Sequence, residues 1–297
     1  MYASLIRQLR GTGVALVTPF KAGQIDYPAL QKLIDHCIEG GVEFLVSMGT
    51  TGESVTLSKE EKKALLAFTK KAIAGRVPLV LGHGGNNTAA LIEELQAIDL
   101  EGVDAILSAS PAYNKPSQEG IYQHYMEFAA NCPLPIILYN VPGRTSSNIS
   151  AATCIRLAKA SKQFIGVKEA SGNLGQAMEI IQGAPREFAL WSGDDNLTLA
   201  LIALGGDGVI SVVANAYPLR FSEMVRHGLE DEFREARALH YTLSQLVDLL
   251  FVEGNPAGIK WVLNAIGIME NELRLPLVPM QNEQYIKALK AEVDALQ

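Results

Sequence analysis

Phe164-Ile165-Gly166-Val167-Lys168-Glu169-Ala170-Ser171-Gly172 is the stretch on which the fold turns. It is a short apolar run of strand length that ends in small and polar residues. The run does not alternate apolar with polar. An unbroken run of this kind indicates burial on both faces, as in a parallel sheet covered by helices. At its end stands Lys168. A cation held at the end of a buried strand is costly, and desolvation favours the neutral amine, a nucleophile toward carbonyl carbon. A lysine that snorkels out to water is the plainer reading of this segment alone.

The same pattern recurs along the chain. Strand-like runs lie at Val14–Phe20, Phe44–Gly49, Pro78–Gly82, Ala105–Ser110, Ile136–Tyr139, Phe164–Lys168, Phe188–Ser192 and Gly208–Val213. Helical spacing separates them. Ser58-Lys59-Glu60-Glu61 reads as a capping box that opens a helix. Leu91, Ile92, Leu95 and Ile98 keep helical intervals, as do Ala151 to Ala160 and Leu174 to Ile181. Eight strand–helix units over about 225 residues predict an α/β fold, a (β/α)8 TIM barrel. An open doubly wound sheet is the alternative, but its Gly-rich first turn is missing; the first turn here is Thr18-Pro19-Phe20. The barrel is expected over residues 1–226. Beyond it, Leu229, Phe233, Ala236, Leu243, Leu246 and Leu250 form a helical stripe, followed by Asn255-Pro256, a helix through Ile266, a Pro-rich turn at Leu275–Pro279 and a last helix from Asn282. Residues 227–297 are therefore expected to form a C-terminal helical appendage. It either has a role of its own or simply covers the barrel.

Composition narrows the chemistry. The 297 residues are 48% hydrophobic, and 25 Lys plus Arg against 32 Asp plus Glu leave a formal charge of −7, which argues against a nucleic-acid or anionic-membrane partner. Cys37, Cys132 and Cys154 form no CxxC pair, which suits a reducing cytoplasm and offers no metal spacing. The first ten residues lack the apolar core of a signal peptide, and no apolar stretch approaches the roughly 20 residues of a membrane span. The five histidines are scattered. A cytoplasmic protein is expected, with no ligand spacing for a metal.

Catalytic groups of such a barrel project from the C-terminal strand ends. Those ends carry Gly49-Thr50-Thr51-Gly52-Glu53-Ser54, Tyr113-Asn114-Lys115-Pro116, Tyr139-Asn140-Val141-Pro142-Gly143-Arg144-Thr145, Lys168, Gly193-Asp194-Asp195 and Ala214-Asn215. The set suits carbonyl chemistry. An amine attacks a ketone, phenols and hydroxyls move protons, and a guanidinium binds a carboxylate. Gly49 and Gly52 permit close approach of backbone amides to another carboxylate. Each piece taken singly has a bland reading: an ordinary turn at residues 49–54, a core tyrosine at 139, a loop-covering tyrosine at 113, a surface ion pair at Arg144. Gly205-Gly206-Asp207-Gly208 opens a strand rather than a helix and reads as a tight turn, not a phosphate cradle. The joint placement at one barrel end carries the weight.

With these motifs, the chain from about Gly11 to Pro279 closely resembles the pyruvate-dependent class I aldolases of the dihydrodipicolinate synthase and N-acetylneuraminate lyase family. Thr50-Thr51 and Arg144 place it on the synthase side. The resemblance implies a lyase, needing no metal or organic cofactor, in which Lys168 forms an imine with pyruvate. The derived enamine attacks L-aspartate 4-semialdehyde to give 4-hydroxy-tetrahydrodipicolinate, a step of the diaminopimelate route to lysine. It implies that Tyr139 relays protons through Thr50 to Tyr113, the last reaching in from a neighbouring subunit of a homotetramer built as a dimer of dimers. Thr51 and its amide hold the pyruvate carboxylate, Arg144 binds the carboxylate of the second substrate, and backbone carbonyls at Gly193 and Ile210 shape the site. Many relatives also bind feedback lysine near the Tyr-bearing loop, at positions that hold Ser54, Lys59, Lys62, Asn86, Ala90 and Ala112 here. His or Glu and a Tyr are common at those places. Two cations there, with a carboxylate and an aromatic wall lost, imply weak or absent lysine inhibition. Ser146-Ser147 also departs from the Gly often found after Arg144-Thr145. The alternatives are another pyruvate-dependent aldolase, such as a neuraminate or keto-deoxy sugar acid lyase, and a non-catalytic sensor barrel.

Overall fold

The computed structural model describes residues 2–296. Eight strands close into a barrel: β1 (Gly11–Ala15), β4 (Phe44–Ser47), β5 (Leu79–Gly82), β6 (Ala105–Ala109), β7 (Ile136–Asn140), β8 (Phe164–Glu169), β9 (Ala189–Ser192) and β10 (Gly208–Ser211). A small hairpin, β2 (Phe20–Lys21) with β3 (Gln24–Ile25), lies outside that ring. The closed order is β1-β10-β9-β8-β7-β6-β5-β4, and every pairing in it is parallel. The predicted TIM barrel is therefore the fold observed.

Two cores result from the closure. The inner one fills the barrel with Phe44, Val46, Val80, Leu107, Ile137, Tyr139, Ile165, Trp191 and Ile210; the outer one lies between strands and helices. The helix Ala3–Gln8 and Leu9 plug the N-terminal end, where Leu9 O accepts a hydrogen bond from Trp191 Nε1 at 2.7 Å. The capping box at Ser58 forms as expected: Ser58 Oγ accepts from Glu61 N and Glu61 Oε2 from Ser58 N, opening the helix Lys59–Ile73. The helix Ala151–Ala160 has its predicted span. After the last barrel strand come helices Pro218–Leu229, Phe233–Phe251, Ala257–Ala265 and Glu283–Leu296, and the long one packs against its predecessor and against the helix Thr198–Ala203.

The first strand lies earlier than its apolar residues suggest. It runs over Gly11–Ala15, not Val14–Phe20. Gly13 has no room for a side chain because the Phe44 ring occupies that space, so the small residues that look like a turn are what lets β1 enter the ring. Beyond Ala15 the chain leaves the sheet. Val17 N bonds to Asn215 Oδ1 and Thr18 Oγ1 to Gly52 O, and Pro19 has no N–H to continue a ladder. The Gly205–Gly208 segment is a turn: Gly206 N bonds Leu201 O, and the Asp207 carboxylate accepts from Leu190 N.

Candidate active site

The site begins with an irregularity in β8. Ile136 pairs with Phe164, but Ile137 pairs with Gly166, so Ile165 is an extra residue on β8. Such a bulge changes the side-chain phase of a strand. Ile165 belongs to the inner core and Val167 to the outer one. Lys168 then falls beside Tyr139 and Trp191, both inner residues. Without the bulge the phase set by Ile165 would turn Lys168 toward the helices. Gly166 is required beneath it, since a Cβ there would run into Ala189 O and the Trp191 ring.

Lys168 is 5% exposed, and its Nζ lies 4.4 Å from the centre of the Tyr139 ring. The snorkelling reading is thereby excluded. Tyr139 in turn lines a cavity of about 1020 Å³ together with Thr50, Gly82 and Leu107. The cavity runs from the barrel mouth outward between the helices Lys59–Ile73 and Thr88–Gln96. Lys168 is not itself on its wall; the amine lies against the Tyr139 ring. Ser54, Lys59 and Lys62 line one side of the outer part, and Ala90, Glu93 and Glu94 of the helix Thr88–Gln96 also line it. Asn86 and Ala112 are joined nearby, Ala112 N donating to Asn86 Oδ1 at 2.8 Å.

The remaining candidates divide into two groups. Thr51, next to Thr50 in the chain, is buried, Ile210 sits in the inner core, and Gly193 N donates to Glu169 O at 2.7 Å just past β9. Tyr113 and Arg144 stay apart from this centre. Tyr113 is 89% exposed at a left-handed backbone position (φ 67°), with its N donating to Thr145 O. Arg144 is exposed on the short helix Pro142–Thr145 that follows β7. Within one chain, neither side chain reaches the Lys168–Tyr139 pair through a hydrogen bond or ion pair among the described residues.

Several polar residues that the sequence offered without a role turn out to brace the mouth. Glu169 accepts from Asn140 Nδ2, Gln176 Nε2 and Ser171 N. Asn215 bridges Val17 N, Ala15 O and Val212 O. Asp195 Oδ2 accepts from Val212 N and Val213 N, tying the loop after β9 to that after β10. Burial pushes the Asp195 carboxyl up to about 6, against the pull of those amides and of Lys168; burial also raises Asp194, again opposed by Lys168. Glu53 has no role that its sequence context announces. It sits in a left-handed position (φ 51°) directly after the Thr50-Thr51-Gly52 turn and pairs with fully buried Lys260 at 2.5 Å. Burial lowers Lys260 to about 8, opposed by Glu53. No signal in the local sequence links two residues so far apart.

A closed parallel barrel with a buried strand-end lysine against a tyrosine has the parts that carbonyl chemistry on an amine requires. The comparisons with known proteins narrow it. Residues 8–296 match the model of the dihydrodipicolinate synthetase family, and the chain belongs to that family. It is 52% identical over 274 residues to a 4-hydroxy-tetrahydrodipicolinate synthase of Flavobacterium psychrophilum, covering 92% of this chain and 94% of that protein. A crystal structure of a dihydrodipicolinate synthase superposes with a TM-score of 0.93 at 44% identity, covering 97% of this chain and 99% of the other. The synthase of Acinetobacter baumannii complexed with pyruvate superposes with a TM-score of 0.92 at 39% identity, covering 96% and 98% of the two chains. Among the described residues no group of three His, Cys, Asp or Glu side chains is arranged to hold a metal, and no helix is long and apolar enough to cross a membrane.

The Asp195 shift carries a sign. The folded chain keeps that proton up to about pH 6, whereas the unfolded chain releases it near the ordinary value of 3.8. Between those limits the folded state binds more protons, so Asp195 makes stability fall as pH rises through the window. Urea midpoints measured from pH 4 to 7 should show this slope in the wild type, and Asp195→Asn should flatten it.

Proposed function

We propose that this chain condenses pyruvate with L-aspartate 4-semialdehyde through an imine on Lys168, forming 4-hydroxy-tetrahydrodipicolinate on the route through diaminopimelate to lysine. The observation that carries this reading is the buried Lys168 amine held against Tyr139, itself on the wall of a cavity shared with Thr50, in a member of the dihydrodipicolinate synthetase family.

The Lys168 amine attacks the pyruvate ketone, and the carbonyl oxygen leaves as water. Loss of a methyl proton gives an enamine whose electron pair comes from nitrogen. The enamine carbon adds to the aldehyde, and the aldehyde oxygen takes a proton. The amino group of the second substrate then attacks the imine carbon and displaces Lys168, closing the ring. Tyr139, whose ring lies against the amine, moves protons at nitrogen in this reading. Thr51 and its amide hold the pyruvate carboxylate, with the backbone at Gly193 and Ile210 shaping the pocket. Arg144 binds the carboxylate of the aldehyde substrate as a charge-assisted pair. Its exposure and its freedom from a protein carboxylate among the described residues support that role. Tyr113 completes the relay from Tyr139 and Thr50 from a neighbouring subunit. Its exposure, and that of Val55 at 92%, support an assembly that covers the mouth, read here as a homotetramer of two dimers working in the cytoplasm. Ser54, Lys59, Lys62, Asn86, Ala90 and Ala112 form a degenerate lysine pocket, in which a cationic ligand meets Lys59 and Lys62.

Borohydride reduction with pyruvate should fix one three-carbon adduct per chain on Lys168, and Lys168→Ala should lose it together with the activity. An adduct mapped to any other residue overturns the assignment. Arg144→Ala should raise the KM for the aldehyde by about ten- to a hundredfold, the worth of one charged hydrogen-bonded contact, while pyruvate trapping persists. An Arg144→Ala enzyme of unchanged efficiency favours a sugar acid lyase instead. Micromolar lysine should leave the rate unaltered in a direct titration.

A further inference from the structure

Asn255 belongs to the C-terminal segment, 204 positions from Thr51 along the chain, yet its Nδ2 donates to Thr51 Oγ1 at 2.9 Å. Both residues are buried. A threonine hydroxyl has one hydrogen to donate and lone pairs that accept. With a lone pair occupied by the Asn255 amide, the Thr51 hydrogen is left for another acceptor. Among the described residues no protein group takes it. Asn255 Oδ1, also buried, has no hydrogen-bond partner.

The turn that carries Thr51 is held from two sides. From the barrel, Thr18 Oγ1 donates to Gly52 O at 2.7 Å. From the C-terminal segment, Lys260 Nζ pairs with Glu53 and Arg274 N donates to Glu53 Oε2 at 3.0 Å. Lys260 and Arg274 both lie over the Phe20 ring, 4.3 and 4.4 Å from its centre.

We propose that Asn255 is a positioning residue for the keto-acid substrate: its amide turns the Thr51 hydroxyl into a donor aimed at the pyruvate carboxylate, on a turn that the Glu53–Lys260 pair keeps in place. The proposal rests on the reading above that Thr51 holds that carboxylate. The C-terminal segment thereby acts on one substrate and not on the other.

The test uses the full-length enzyme and the variants Asn255→Ala and Asn255→Asp. The second fills the same space but has no amide donor. Each should raise the KM for pyruvate by about tenfold or more while kcat and the KM for the aldehyde stay within about threefold, since one hydrogen bond to a charged substrate group is lost. An unchanged pyruvate KM in a variant with a wild-type urea midpoint overturns the proposal. So does an equal change in all three constants, which marks general loosening. Should Asn255→Ala fail to fold, Asn255→Asp gives the same comparison. Thr51→Val supplies an independent arm: adding it to an Asn255 variant should cost nothing further, and multiplying effects overturn the coupling. If wild-type Lys168 is not trapped by pyruvate and borohydride, the functional reading itself falls. If it is trapped and only the Asn255 effect is missing, this proposal alone falls.

Discussion

One extra residue in β8 sets which way Lys168 faces. Ile165 has no partner on β7, and the phase change it introduces sends Lys168 into the barrel rather than toward the helices. The cost of placing an amine there is limited by its neighbours. The Tyr139 ring offers a face to it, and the carboxyls of Asp194 and Asp195 feel its charge. Below it, Gly166 leaves room for the Trp191 ring, whose indole is anchored to the N-terminal plug through Leu9. The reactive end of the strand is thus fixed from beneath by packing, and from the side by register. A nucleophile that must meet a carbonyl carbon in one geometry benefits from both.

A second constraint lies across the mouth. Two charged side chains, Glu53 and Lys260, are withdrawn from water completely. Replacing such a pair by apolar groups is often neutral or stabilising, whereas removing one partner costs about 3–5 kcal/mol. Stability alone therefore gives little reason for the pair. Its location gives a better one. Glu53 occupies a left-handed backbone position, which costs on the order of 1–3 kcal/mol for a residue with a Cβ, and its carboxylate accepts from two elements of the C-terminal segment. Arg274 extends the clamp to Glu61 in the capping box of the next helix, holding that carboxyl down to about 2. The C-terminal helices accordingly do more than cover apolar surface: they hold the first loop of the site.

Much of this was legible in the residues. Apolar runs such as Ala105–Ser110 and Ile136–Tyr139 announce buried strands because water is excluded from both faces, and Ser58 with Glu61 announces a helix start because unpaired amides need acceptors. The strand ends then collect Thr50, Tyr139 and Lys168 by topology alone. What stayed hidden was phase and distance. A strand that is apolar on both sides carries no alternation, so nothing in Phe164–Lys168 tells which way Lys168 faces. β1 was displaced because Gly11 and Gly13 resemble turn residues until the Phe44 ring and the Glu43 carboxylate are seen to need their space. Glu53, Lys260 and Asn255 meet only through the closed chain, and each has an ordinary local context.

The braces of the mouth share one design. Asn215 joins the loop after β10 to the end of β1, Asp195 joins the loops after β9 and β10, Glu169 joins β8 to β7 through Asn140, and Asn255 joins the C-terminal segment to the turn after β4. Each is a short polar side chain that satisfies backbone groups or hydroxyls which the strand ends leave unpaired. The strands of a parallel barrel are not joined to one another by hairpins, so the loops at this end are free to vary unless side chains tie them. Here the ties form a partial ring around Lys168, while Arg144 and Tyr113 are left outside it. The division fits the proposed reaction, in which the keto acid would be held covalently on a rigid seat and the aldehyde would arrive second, at the exposed groups on the rim.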